Sequence, residues 1–175
     1  MTAVLIFLGL IALTILAGLL LLRWLPASGL SPRALAILGW VLRVVLALVF
    51  VRAAVPKLID PFAFATDIYA YRVIPPMWAA IGAILMAAIE MVAAVALVTG
   101  LLWRGGAIVL GGMLLVFIAM IFQAIVRGID IHCGCFGESS HTVSFWLIAQ
   151  DCGLLLCALA PLIWDARRQR RVGLA

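Results

Sequence analysis

Charge is what this sequence has least of. Only 11% of its 175 residues are Asp, Glu, Lys or Arg, whereas 68% are hydrophobic. Soluble domains carry roughly 25% charged and 45–50% apolar residues, so a water-exposed globular fold is excluded. The uncharged runs are long enough to cross the roughly 30 Å hydrocarbon core of a bilayer, and the chain reads as an all-α, polytopic membrane protein. The net charge of +5 does not point to nucleic acid. Four of the twelve basic residues crowd into Arg167, Arg168, Arg170 and Arg171 behind an apolar run, the pattern of a cytoplasmic helix end.

Internal repeats and low-complexity linkers are also missing, so nothing divides the chain except charges and Pro/Gly punctuation. These leave five apolar segments: Ala3 to Leu22, about Ala34 to Val55, Met77 to Leu102, Gly105 to Val126 and Phe145 to Trp164. Each is long enough to span as a helix. The first lacks the basic n-region of a signal peptide and exceeds the usual apolar length, although Ala27-Ser28-Gly29 offers small residues for cleavage. It is expected to be a transmembrane helix.

With the amino terminus outside, Arg23, Arg33, Arg104 and the four tail arginines face the cytoplasm. Arg52, Lys57, Arg72 and Arg127 then face outward. The excess of inner positive charge sets this orientation in a plasma membrane, with the carboxyl terminus cytoplasmic. It places two loops, Val51 to Pro76 and Arg127 to Ser144, on the extracytoplasmic side.

Cysteine is scarce, with four residues, but two stand in His132-Cys133-Gly134-Cys135-Phe136-Gly137. On an oxidising face such a pair can form and exchange disulfides. A ring closed between residues two apart is strained, glycine best adopts the backbone it needs, and strain makes the bond labile. His132 and Arg127 are candidates to favour the nucleophilic thiolate. Two other readings stand beside this one. His132, Cys133 and Cys135 are part of a soft-metal ligand set that lacks a fourth member. Alternatively, the loop cysteines are structural staples to Cys152 and Cys157. Cys152 lies about 10 Å into the last segment, next to Asp151, and is a candidate redox relay; Cys157 lies deeper and reads as a small buried residue.

Ionisable groups inside a span are costly and are expected to face the bundle and find partners. Glu90 is expected to pair with Arg43 and fix helix packing, with proton or quinone chemistry at Glu90 as the alternative. Asp151 either matches the amino terminus of the last helix or holds Arg127 or His132 near the cysteines. Lys57 and Asp60, between Pro56 and Pro61, belong to an ordered helix exit and read as structural charges. Trp78, Trp103, Trp146 and Trp164 sit at span ends as interface anchors.

Taken together, several strings resemble the MauE branch of the MauE/DoxX membrane proteins. They are Phe50-x-x-Ala53-x-x-x-Lys57-Leu58-x-Asp60-Pro61-x-x-Phe64, Tyr71, Pro75-Pro76, Glu90 with Ala94, Leu97 and Gly100, Arg127-Gly128, Cys133-Gly134-Cys135-Phe136-Gly137 and Gln150-Asp151. The resemblance covers roughly residues 32 to 164 and departs at Ala94 and Gln150. It implies a DoxX-like four-helix membrane domain over residues 32–165, preceded by an extra transmembrane helix and linker (1–31) and followed by a basic tail (166–175). It also implies a redox-associated protein serving the maturation or export of methylamine dehydrogenase. The expected function is thiol–disulfide exchange through Cys133 and Cys135 with a thioredoxin-like partner or a maturing exported protein. Cys152 is a candidate relay, a quinone a candidate cofactor, and thiol–disulfide oxidoreductase component the enzyme class. A soft-metal binder or transporter and a non-catalytic scaffold are the competing functions.

Overall fold

A computed structural model describes residues 31–128 and 145–172. The first apolar segment and the Cys-Gly-Cys loop lie outside the described residues. Five helices follow in order: α1 (Pro32–Ile59), α2 (Pro61–Ala70), α3 (Pro76–Thr99), α4 (Trp103–Val126) and α5 (Phe145–Val172). All but α2 are long and apolar enough to cross a membrane.

Proline and capping chemistry set the boundaries. Ser31 accepts a hydrogen bond from the Ala34 N–H at 3.2 Å, and Pro32 follows at the first helical position, where a missing N–H costs nothing. Asp60 separates α1 from α2 with a non-helical backbone, and its Oδ1 accepts the Ala63 N–H at 2.9 Å, capping α2. Pro61 and Pro76 open the next two helices in the same way as Pro32. Gly100 closes α3 in the left-handed region at φ 77°, donating its N–H to the Ala96 carbonyl at 3.2 Å, as a C-terminal glycine does.

Helix α3 packs against α1, α2 and α4, and α5 closes the bundle against α4 and α1. One core joins Leu46 and Phe50 of α1, Ala94 and Leu97 of α3, Leu110 and Leu114 of α4 and Leu155 of α5. A second, at the other end of α4, joins Ile118 and Ile121 to Leu147, Ile148 and Cys152. A third lies where α2 covers the first half of α3. Between hydrocarbon-facing helices apolar burial supplies little driving force, so close packing of small residues carries the association. Gly106 shows it: a Cβ there would meet the Ala93 carbonyl oxygen at 2.9 Å. Ile84, Val92, Val95, Ile108 and Val116 are exposed, which suits lipid and not water.

The antiparallel run of α3, α4 and α5 puts the α2 corner and the ends joined by residues 129–144 at one end of the bundle. The α3–α4 turn and the arginine-rich end of α5 lie at the other.

Three expectations are corrected. The stretch from Val51 to Pro76 is mostly helix, because α1 runs through Pro56 to Ile59 and α2 follows. Pro56 sits in the last turn, where little helix remains to disrupt, and its carbonyl still accepts the Asp60 N–H at 3.0 Å. The last helix does not stop at Trp164 but continues to Val172, taking the arginines into its final turns. Trp164 is not a lipid-facing anchor: it is buried, 3.9 Å from where a Cβ on Gly39 would stand, and packs α5 against α1. Trp78 and Trp146 are exposed, as interface anchors are.

Candidate functional site

The inward stripe of α1 runs Leu46, Ala47, Phe50, Ala53, Ala54 at helical spacing, and the next inward position is Lys57, the only lysine of the chain. The buried stripe of α3 is Ala79, Ala83, Ala87, Glu90, Ala93, Ala94 and Leu97. Ala87, Ala93 and Ala94 flank Glu90 along the helix, small residues that let the backbones approach and leave room for one long side chain from α1.

Lys57 fills that room. Its Nζ donates to both carboxylate oxygens of Glu90, at 2.6 and 2.9 Å, with 2% and 0% of the two side chains exposed. The ammonium also stands 4.7 Å from the ring centre of Phe64 on α2 and 5.2 Å from that of Phe117 on α4. Both ring faces attract a cation and exclude water. A charge so desolvated is tolerated only when paired and hydrogen-bonded, and this ammonium meets both conditions. Four elements therefore converge on one group.

Arg43 is not the partner of Glu90. About 21 Å of helix separates it from Lys57, which puts it at the level where α4 begins. There its Nε donates to the Gly39 carbonyl at 3.3 Å, and its guanidinium lies 4.7 Å above the Trp103 ring. Placing Lys57 in a loop beyond a helix ending at Val55 hid the true pairing; carrying the α1 stripe one turn past Pro56 exposes it.

Asp151, half-buried on α5, lies within electrostatic reach of Lys57. Tyr71, at the end of α2, is 4% exposed, and its phenol is pushed up to about 12, by burial first and then by the negative charges of Asp67 and Asp151. The sequence shows Tyr71 only as one residue of the family string; its burial is a tertiary fact. Next to Asp151, Cys152 is buried and packs with Ile118, Ile121 and Ile148, while Cys157 is half-buried; among the described residues neither is in a disulfide.

Of the expected site residues, the structure thus gathers Lys57, Glu90 and Asp151, with Cys152 beside the last. Asp60 caps α2, and Arg127 ends α4, exposed, with its N–H on the Gln123 carbonyl at 3.1 Å. His132, Cys133 and Cys135 lie outside the described residues, so neither the thiol site nor the alternative metal set has a geometry here. Among the described residues no group of three or more His, Cys, Asp or Glu is arranged to hold a metal ion.

Chemically, the bundle holds a neutral ammonium–carboxylate pair, a second carboxylate and a phenol in an apolar setting. Such a set can retain or pass a proton and lends polarity to one end of the bundle. Fold and site together define a multi-pass α-helical membrane protein with an ion pair locked inside its helices. The chain belongs to the MauE family: the family described as Methylamine utilisation protein MauE matches residues 35–164. A similar protein is the methylamine utilization protein MauE of Paracoccus denitrificans, 35% identical over 122 residues, which cover 69% of this chain and 65% of that protein. The match thus spans less than two thirds of the relative's length. No solved structure matches the chain.

Proposed function

We propose that this protein exchanges thiols and disulfides at the outer face of the plasma membrane through Cys133 and Cys135, and so supports maturation of an exported protein. The observation that carries the reading is the position of Cys152, buried on α5 about 10 Å inside the bundle end to which residues 129–144 connect. A thiol there, beside Asp151, is shallow enough to serve the loop pair as a relay.

In the exchange, a thiolate of a thioredoxin-like partner attacks the Cys133–Cys135 disulfide and forms a mixed disulfide. The partner's second thiol then displaces it. The partner leaves oxidised, and two electrons and two protons remain on the loop pair. A quinone is the candidate acceptor that restores the disulfide, with Cys152 as relay. The same steps run backward when the partner arrives oxidised.

Family membership supports a role in methylamine utilisation, with the disulfide-rich subunit of methylamine dehydrogenase as the maturing protein. The orientation follows from charge, and burial of Lys57 sharpens it: removing that residue from the outward group leaves Arg52, Arg72 and Arg127 against seven inward arginines. Residues 32–165 form the DoxX-like membrane domain in this reading, with residues 1–31 contributing a further transmembrane helix.

Thiol trapping on intact cells with a membrane-impermeant maleimide tests the proposal. Cys133 and Cys135 are expected to label from outside only after reduction, and Cys133→Ser or Cys135→Ser to abolish complementation of a methylamine-growth defect. Loop cysteines that stay reduced and label only from the cytoplasm would sink both mechanism and orientation.

A further inference from the structure

The other end of the bundle carries a group that the thiol chemistry does not use. Arg43 projects from a membrane-spanning helix, yet no carboxylate pairs with it among the described residues; its one hydrogen bond goes from Nε to the Gly39 carbonyl. Its guanidinium stacks on Trp103 at 4.7 Å, and Arg104 approaches the same ring at 5.7 Å. Arg104 is neutralised, since its Nη2 lies 2.7 Å from Asp165 Oδ2. Arg43 is not.

Depth completes the argument. Helices α3 and α4, 24 residues each, are about 36 Å long, slightly more than the hydrocarbon core. Their shared turn, residues 100–102, therefore sits at headgroup level, and Trp103 with the Arg43 guanidinium lies beside it. A cation held at that depth by an indole face, with no partner for its Nη atoms among the described residues, is completed by an oxyanion at the same depth.

We propose that Arg43, stacked on Trp103, binds the phosphate of an anionic glycerophospholipid in the leaflet that contacts the α3–α4 turn. Anionic lipid is favoured over zwitterionic because the surplus charge here is positive. In addition, both cations already attend the Trp103 ring, the surface a choline group would use. The arginine fork suits a phosphate by two parallel hydrogen bonds, which a lysine ammonium does not reproduce.

Native mass spectrometry of the full chain in detergent, with phosphatidylglycerol or phosphatidylcholine added, tests this. Phosphatidylglycerol is expected to be retained in preference, and Arg43→Gln to weaken that retention about tenfold, the equivalent of one charge-assisted contact. Arg168→Gln, an exposed tail change, is expected to leave it unaltered. Where Arg43→Gln does not fold, Arg43→Lys serves in its place, with retention intermediate between wild type and phosphatidylcholine levels. Equal loss in the Arg168 variant overturns the proposal in favour of diffuse attraction by the tail. Full competition by millimolar inorganic phosphate overturns the lipid as source, and unchanged retention in both Arg43 variants overturns the site.

Discussion

At the scale of single residues, the Lys57–Glu90 pair dominates. Removing one partner leaves the other charge buried and alone, a loss of about 3–5 kcal/mol for pairs of this kind. Lys57→Met and Glu90→Met are each expected to lower the midpoint of detergent unfolding sharply. The double variant Lys57→Met/Glu90→Met should recover much of the loss, because two apolar chains need no pairing; a double variant as unstable as the sum of the singles would refute a simple pair. Tyr71 supplies a second test. With Tyr69→Phe to remove the only other phenol, ultraviolet titration should show Tyr71 ionising near 12. The folded state favours the neutral phenol, so its contribution to stability is complete below the unfolded value of about 10 and is lost as pH rises from there through about 12. Ionisation near the unfolded value would mean the phenol is not buried as described. Both groups were visible in the sequence as letters. Their pairing and burial were not, because Lys57 and Glu90 are 33 residues apart and meet only when α1 and α3 cross.

At the scale of elements, glycine position decides how closely helices approach. Gly106→Ala must displace the Ala93 carbonyl, which is backbone and cannot swing aside. A destabilisation of about 1–3 kcal/mol is expected. Gly112→Ala, on the same helix with open space around its would-be Cβ, should be neutral or stabilising by up to about 1 kcal/mol through helix propensity. Chemical denaturation of both variants in one detergent makes the comparison, and equal effects would contradict the packing of α3 on α4. The apolar spans marked four of the five described helices. The fifth, α2, falls in a stretch without a spanning apolar run, and at ten residues it is too short to leave one; the Asp60 cap and the packing of Phe64 and Ile68 on Ala79 and Ala83 make it a helix.

At the scale of the whole molecule, the fold separates two ends with different chemistry, one holding Tyr71 and the connection to the cysteine loop, the other Arg43, Trp103 and the tail arginines. Single cysteines placed in a background lacking the native ones should report this. Val73→Cys is expected to react with an impermeant maleimide in intact cells and Leu101→Cys only after permeabilisation; labelling of both from one side would break the arrangement. The sequence by itself determined the solvent, the number of long spans among the described residues and the family, since composition, apolar length and short motifs are local properties of the chain. Only the tertiary structure decided which charges lie inside and which cation answers Glu90. A buried ion pair is a relation between helices distant in sequence, and the depth of one helix against another, not the identity of its residues, selected Lys57 over Arg43.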